Sequence, residues 1–249
     1  MSDNRFMRTQ ALLGEKSFSK LQHSSVMIVG LGAVGGYALE ALARAGVGKL
    51  VLVDFDKVEI TNINRQILAL DSTIGKPKTV VAQNRVHDIN PNCQIVVKEM
   101  FVNSKNIDDL LSEKVDFVID AIDALNPKCD LIQALYQKNI PFISSMGAAL
   151  KTDASHVKLQ TLNKTKNCHL ARFIRKRLKR RDVDISKILC VASDEQTDLP
   201  ESALFIEEKE DICSNTRQRH TMGSLPTITA IFGLTIANAV ILSLSKLAK

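Results

Sequence analysis

The 249-residue chain has no tryptophan and only two tyrosines. With so few broad aromatic surfaces, any contact with nucleic acid is expected to rest on charge more than on base stacking. Cysteine is also sparse. Cys93, Cys129, Cys168, Cys190 and Cys213 are odd in number, widely spaced and form no CxxC pair. That argues against a disulfide framework and against a structural zinc site, so no zinc is expected and a reducing cytoplasm is the simplest compartment. The opening residues, MSDNRFMRTQ, carry no apolar stretch of the signal-peptide kind. Neither an internal repeat nor a low-complexity tract is evident.

What is present reads as an ordinary globular protein, 45% hydrophobic and 24% charged. The formal net charge of +6 favours a polyanionic partner and says nothing about fold. Residues 1–25 read as a polar, helical lead-in. Residues 26–30, VMIVG, suit a buried parallel strand. Tyr37–Ala45 has helical character, and Leu50–Asp54 is a second strand ending in an acid. Further along, the pattern predicts a helix over Ser72–Asn90, a strand over Gln94–Lys98, a helix over Lys105–Ser112 and a strand over Val115–Asp120. A helix over Pro127–Lys138 and a strand over Pro141–Ser145 follow. Strands alternating with helices indicate an α/β fold, Rossmann-like and doubly wound, with a mostly parallel sheet.

The character changes after Ala149. Lys164–Arg181 carries nine Lys or Arg and no acid, and suggests a basic helix. Asp194–Asp211 carries eight acids and one Lys, and reads as a mobile or loop-rich segment. Leu225–Leu244 is twenty residues without a charge, long enough to span a membrane. Because it holds Pro226, Gly233, Asn238 and three threonines, a buried core helix is preferred and no stable membrane span is expected.

The chemistry concentrates in the first half. Gly30-Leu-Gly32-Ala-Val-Gly35-Gly36 fits GxGxxG between a strand and a helix. Its glycines allow a tight turn, close approach of a phosphate, and close strand–helix packing. Asp54, 24 residues beyond Gly30, is placed to accept from ribose hydroxyls. So far NAD and ATP fit equally. The segment DFDKVEITNINRQ separates them, because Asn62, Asn64, Arg65 and Gln66 offer donors that a triphosphate needs. Lys78, in Gly75-Lys-Pro-Lys78 at a helix start, adds a point charge. Asp123, in Asp120-Ala-Ile-Asp123, is the candidate ligand for Mg²⁺ bridging ATP oxygens; Asp120 ranks below it as a strand cap.

Taken together, Arg5-Phe-Met-Arg8, GLGAVGG, DFDKVEITNINRQ, GKPK and DAID resemble the MoeB/ThiF/HesA family, bacterial relatives of ubiquitin-activating enzymes. The resemblance covers about the first 150 residues. It implies a homodimer that binds Mg·ATP and adenylates a carboxylate. Residue by residue it implies that Asp54 holds the ribose, that Asn62, Arg65 and Lys78 meet the phosphates, and that Asp123 takes the metal. Arg8 would reach across the dimer to the partner's ATP; from the residues alone Arg8 is a surface side chain. Residues 1–150 would be the nucleotide-binding core and 151–249 a substrate-facing and dimerisation extension that completes one adenylation domain.

Later motifs, DAIDALNPK, IPFISSMGAALKTD, RFIRKRLKRR, ILCVASDE and GSLPTITAIFGLTIAN, look most like the branch of that family acting on tRNA. That likeness implies adenylation of the threonyl carboxylate of N6-threonylcarbamoyladenosine at tRNA position 37, then cyclising dehydration. The tRNA contacts would come from Arg172, Arg175, Lys176, Arg177, Lys179 and Arg180, although on one helix not all can face RNA. A cysteine desulfurase or sulfur-acceptor protein is a further partner the likeness admits. Ring closure is intramolecular, so no catalytic cysteine is assigned. Two rival readings remain open at this point. One is an activating enzyme for a ubiquitin-like or sulfur-carrier protein; the other is an NAD-dependent dehydrogenase or a nucleotide-binding module without chemistry.

Overall fold

In the computed structural model the described residues are 5–196, 204–207 and 219–246. The acidic stretch beyond Gln196 falls largely outside them, as does Cys213. A seven-stranded sheet organises the chain, in the order β3-β2-β1-β4-β5-β7-β6. Its strands are β1 (Ser25–Val29), β2 (Lys49–Val53), β3 (Gln94–Lys98), β4 (Phe117–Asp120), β5 (Phe142–Ser145), β6 (Val157–Thr161) and β7 (Leu189–Ser193). All neighbours run parallel except β6 on β7. The inner strands read Val-Met-Ile-Val and Leu-Val-Leu-Val because both faces are buried, the condition of a parallel sheet covered on two sides. A separate antiparallel pair joins β8 (Leu204–Glu207) to β9 (Arg219–Met222).

The helices are α1 (Met7–Leu13), α2 (Glu15–Gln22), α3 (Gly35–Ala45), α4 (Lys78–Ile89), α5 (Ile107–Leu110), α6 (Leu125–Gln137), α7 (His169–Lys179) and α8 (Pro226–Ser245). From β1 the chain moves outward through β2 to β3, then returns to β4 on the other side of β1. That reversal opens a crevice at the C-terminal ends of β1 and β4, where open α/β sheets bind ligands.

One face of the apolar C-terminal helix packs into the core. Ile228, Phe232, Ile236, Ala237 and Val240 of α8 are buried in the same core as Leu39 and Leu42 of α3. A Cβ at Gly233 would lie 2.4 Å from the Val34 carbonyl, so α8 backs directly onto the glycine turn. Its outer side keeps Leu234 and Leu242 exposed.

The helix expected over Ser72–Asn90 is shorter. A single 3-10 turn covers Asp71–Thr73, and α4 begins only at Lys78. Gly75 takes a left-handed φ of 80° and Pro77 disfavours helix at the residue before it, so the chain turns before the helix can start. The expected helix over Lys105–Ser112 shrinks to four residues. Strands β6 and β7 were absent from the sequence expectation; they extend the nucleotide sheet itself with residues from beyond Ala149.

Candidate adenylation site

The glycine turn is built on two steric demands. Gly30 follows β1 at φ 94°, and a Cβ there would meet the Ala121 carbonyl oxygen at 2.8 Å. A Cβ on Gly35 would sit 1.8 Å from the Gly30 carbonyl oxygen, so α3 can start this close to β1 only without a side chain. Gly32 differs: a Cβ there would find no heavy atom nearer than Gln66 Nε2 at 3.9 Å. Protein packing leaves this position open, as a turn that admits a phosphate requires.

Asp54 follows β2 and is buried. Its Oδ2 accepts from the Leu31 N–H at 2.6 Å, tying the acid to the glycine turn, and Oδ1 accepts from the Asp56 N–H at 2.8 Å. Burial pushes its pKa up, against the pull of the Lys78 charge and the two backbone donors. Lys78 is buried at the start of α4, and its Nζ donates to Asp56 Oδ2 at 2.9 Å. Asp56, which the sequence reading left without a role, therefore holds both Asp54 and Lys78.

Asn62 and Gln66 are buried between these elements. The Asn62 Oδ1 accepts from the Glu59 N–H at 3.2 Å, closing a 3-10 turn over Ile60–Asn62. Arg65 is half-buried and donates to the Thr61 carbonyl at 2.8 Å and to Asn64 Oδ1 at 2.9 Å. The stretch lies against the glycine turn, since a Cβ on Gly36 would be 3.1 Å from Ile67 Cγ2.

The third contribution comes from β4. The Ala121 N–H donates to the Val29 carbonyl at 2.8 Å, so the loop leaving β4 lies on the glycine turn. Asp123 ends that loop exposed, with no hydrogen bond or ion pair among the described residues. Asp120 is fully buried. It pairs with Lys128 Nζ at 2.9 Å, accepts from Ser144 Oγ at 2.6 Å and takes the Ile122 N–H at 3.1 Å. Lys128, also fully buried, donates to the Ile122 carbonyl at 2.7 Å. The strand-cap reading of Asp120 thus understates it, because the buried pair fixes the loop that carries Asp123. A lysine three residues into an apolar helix face was the available signal.

Beside Asp54, Phe55 and Phe101 meet edge to face with centroids 5.0 Å apart, both about half exposed. Sequence reasoning missed this apolar wall because its halves are far apart in the chain. The structure thus gathers Gly30, Gly32, Gly35, Asp54, Asn62, Arg65, Gln66, Lys78 and Asp123 at the ends of β1, β2 and β4.

Arg8 is not among them. The preceding Phe6 packs on Phe18 and lies near Gly46, at the far end of α3 from the glycine turn. An eleven-residue helix separates the two ends by roughly 16 Å. Arg8 itself is exposed on α1.

The basic run divides. Ala171, Ile174 and Leu178 bury the inner face of α7. Arg175 donates to the Thr165 carbonyl at 2.8 Å, and Arg177 donates to Asn126 Oδ1. Arg172, Lys176, Lys179 and Arg180 are exposed. Of the six expected RNA contacts, four therefore face solvent and two are tied to the protein. The described cysteines are buried. Burial and the neighbouring Cys168 push Cys190 up to about 12, and burial pushes Cys93 up to about 11. Neither is a thiolate at neutral pH.

Fold and site define a protein of the Rossmann-like nucleotide-binding class, whose glycine turn, buried Asp54 and buried Lys78 converge at a sheet switch point. The ThiF family model matches residues 4–249, and the chain belongs to that family. It is 33% identical over 243 residues to tRNA threonylcarbamoyladenosine dehydratase of Bacillus subtilis, covering 98% of this chain and 95% of that one. The Escherichia coli dehydratase is 39% identical over 175 residues, 70% of this chain and 65% of that one. Crystal structures of the E. coli enzyme, TcdA, in complex with ATP and with AMP have a TM-score of 0.86 and 32% identity, covering 99% of this chain and 97% of theirs.

Proposed function

We propose that this chain is an ATP-dependent dehydratase of threonylcarbamoylated tRNA. The observation that carries the proposal is end-to-end similarity to the B. subtilis dehydratase in a chain that gathers a phosphate turn, a ribose acid and cations in one crevice.

The chemistry has two steps. A threonyl carboxylate oxygen attacks the α-phosphorus of ATP and pyrophosphate leaves. The neighbouring carbamoyl group then attacks the activated carbonyl carbon, its N–H proton is released and AMP departs carrying one carboxylate oxygen, so the nucleoside has lost the elements of one water. In this reading Asp54 accepts from the ribose hydroxyls, and Phe55 and Phe101 offer an apolar wall to adenine. The turn at Gly30, Gly32 and Gly35 admits the phosphates. Asn62, Arg65, Gln66 and Lys78 supply donors and positive charge, which stabilise the oxygens best where charge develops in the transition state.

Among the described residues no group of three or more His, Cys, Asp or Glu is gathered as a metal site. The exposed, unpaired Asp123 still fits Mg²⁺, which takes one or two carboxylates and draws its remaining ligands from phosphates and water. When bound, the ion neutralises phosphate charge. Arg8, remote from its own crevice, suits a role at a partner's crevice, and the exposed side of α8 leaves apolar surface for a homodimer. Residues 1–150 then supply the nucleotide-binding side chains, and 151–249 add β6, β7 and α8 to the same core together with the substrate-facing and dimerisation surface of a single domain. A tRNA substrate and a core-buried α8 fit a cytoplasmic location.

ATP–pyrophosphate exchange tests the assignment. Stimulation by threonylcarbamoylated tRNA, and not by a Gly-Gly-ending carrier protein, is expected. Stimulation by the carrier protein alone would replace the tRNA reading with the carrier reading.

A further inference from the structure

The basic helix carries an aromatic group that the adenylation chemistry does not use. Phe173 is 48% exposed on a helix rich in cations. The Arg172 guanidinium carbon lies 5.2 Å from the Phe173 ring centroid, within cation–π range. At about 100° per residue, Arg172, Phe173, Lys176, Lys179 and Arg180 fall within about 120° of helix circumference, opposite buried Ala171, Ile174 and Leu178. One face therefore presents an aromatic ring, a guanidinium plane and three further cations.

Its position connects it to the crevice. A Cβ on Gly147, just beyond β5, would lie 3.5 Å from Cys168 Sγ and 3.7 Å from Leu170 Cβ. The beginning of α7 thus sits at the sheet edge where β1 and β4 end. Further on, Arg177 reaches Asn126 in the first turn of α6, and Arg181 reaches Asp130 at 2.6 Å. α7 therefore runs away from the nucleotide edge alongside α6. Phe173 precedes Arg177 by about one turn, roughly 6 Å of axis, and so lies toward that edge.

Resting on the tRNA reading above, we propose that Phe173 and Arg172 form a stacking platform for an unpaired nucleobase of the substrate tRNA. Lys176, Lys179 and Arg180 would hold the adjoining phosphates. Single-stranded RNA is recognised by bases splayed onto aromatic rings and guanidinium planes, while cations neutralise the backbone. A twofold interface between protein copies through this face fits worse, because it would bring the cations against one another. The platform also amends the composition argument: one exposed phenylalanine supplies what the missing tryptophans do not.

The test uses the full chain with Phe173→Ala, Phe173→Leu and Phe173→Trp, measuring affinity for threonylcarbamoylated tRNA across a salt series, ATP affinity, and sedimentation. Phe173→Ala is expected to weaken tRNA binding roughly tenfold, the order of one lost base–aromatic stack. The slope of log affinity against log salt should stay unchanged, since no phosphate contact is removed. Phe173→Trp should bind like wild type, Phe173→Leu should not, and ATP affinity and sedimentation should not move. If wild type binds tRNA and Phe173→Ala binds equally well, the platform is wrong while the tRNA reading stands. Leu restoring full affinity would reduce the stack to a generic apolar contact and overturn it. A sedimentation change with unchanged tRNA affinity would assign the ring to a protein interface instead. Wild type failing to bind tRNA at all sinks the tRNA reading and the platform with it.

Discussion

Lys128→Met removes one half of a pair in which both side chains are fully buried. Met matches the lysine stem in volume, so packing changes little, but the Asp120 carboxylate stays inside with Ser144 and the Ile122 N–H as its remaining partners. Breaking a buried ion pair from one side costs about 3–5 kcal/mol. In a chain of this size that corresponds to a Tm drop of about 6–20 °C. The variant also releases the Ile122 carbonyl from Lys128, and with it the loop bearing Asp123. A displacement near 1 Å can slow a positioned reaction about 100-fold. Differential scanning calorimetry and ATP–pyrophosphate exchange, the latter assayed well below the variant's Tm, separate the two effects. Asp120→Asn combined with Lys128→Met leaves no charge at this buried position and is expected to recover most of the stability, though less of the exchange rate. An unchanged Tm for Lys128→Met, or a double variant as unstable as the single, would refute the reasoning from a stranded charge.

Other outcomes follow from the same geometry. Burial raises the Asp54 pKa, so the folded chain holds this proton more tightly than the unfolded one, and ionisation of Asp54 costs stability above the folded pKa. Asp54→Asn removes that cost, so its Tm relative to wild type should rise as pH climbs from the ordinary aspartate value of 3.8 through the folded pKa and show no such gain below 3.8, while ATP affinity drops; calorimetry across pH with and without ATP checks both signs. Arg8→Ala and Asp123→Ala should each be inactive yet folded, and mixing them should restore partial turnover if Arg8 acts at the partner's crevice; no recovery would place the two residues in one subunit or remove one role. Reversing the charge of Lys176 and Lys179 should weaken tRNA binding and flatten its salt slope by roughly 0.7–0.9 per lost phosphate contact, leaving ATP binding intact in a filter-binding series.

The parallel core was legible in the sequence because buried strands read as unbroken apolar runs closed by Gly30, Asp54 and Asp120. Strands β6 and β7 were not, since Val-Lys-Leu-Gln-Thr is half polar at a sheet edge and Leu-Cys-Val-Ala-Ser is weak in β-branched residues. Gly30, Asp54 and Lys78 could be named from spacing, because each closes a strand or opens a helix at one edge. Asp56, Lys128 and the Phe55–Phe101 wall could not, because their roles depend on partners 22, 8 and 46 residues away that only the fold brings near. The basic run showed its charge but not its facing, and the tethering of Arg175 and Arg177 came from acceptors at Thr165, in a loop, and Asn126, in the first turn of α6.

The most direct measurement is mass analysis of nucleosides after incubating the protein with Mg·ATP and threonylcarbamoylated tRNA. The threonylcarbamoyl nucleoside should lose the mass of one water, with one AMP and one pyrophosphate appearing per nucleoside changed. ATP consumed with the nucleoside mass unaltered would contradict dehydration, and a loss of water without ATP would contradict the adenylate.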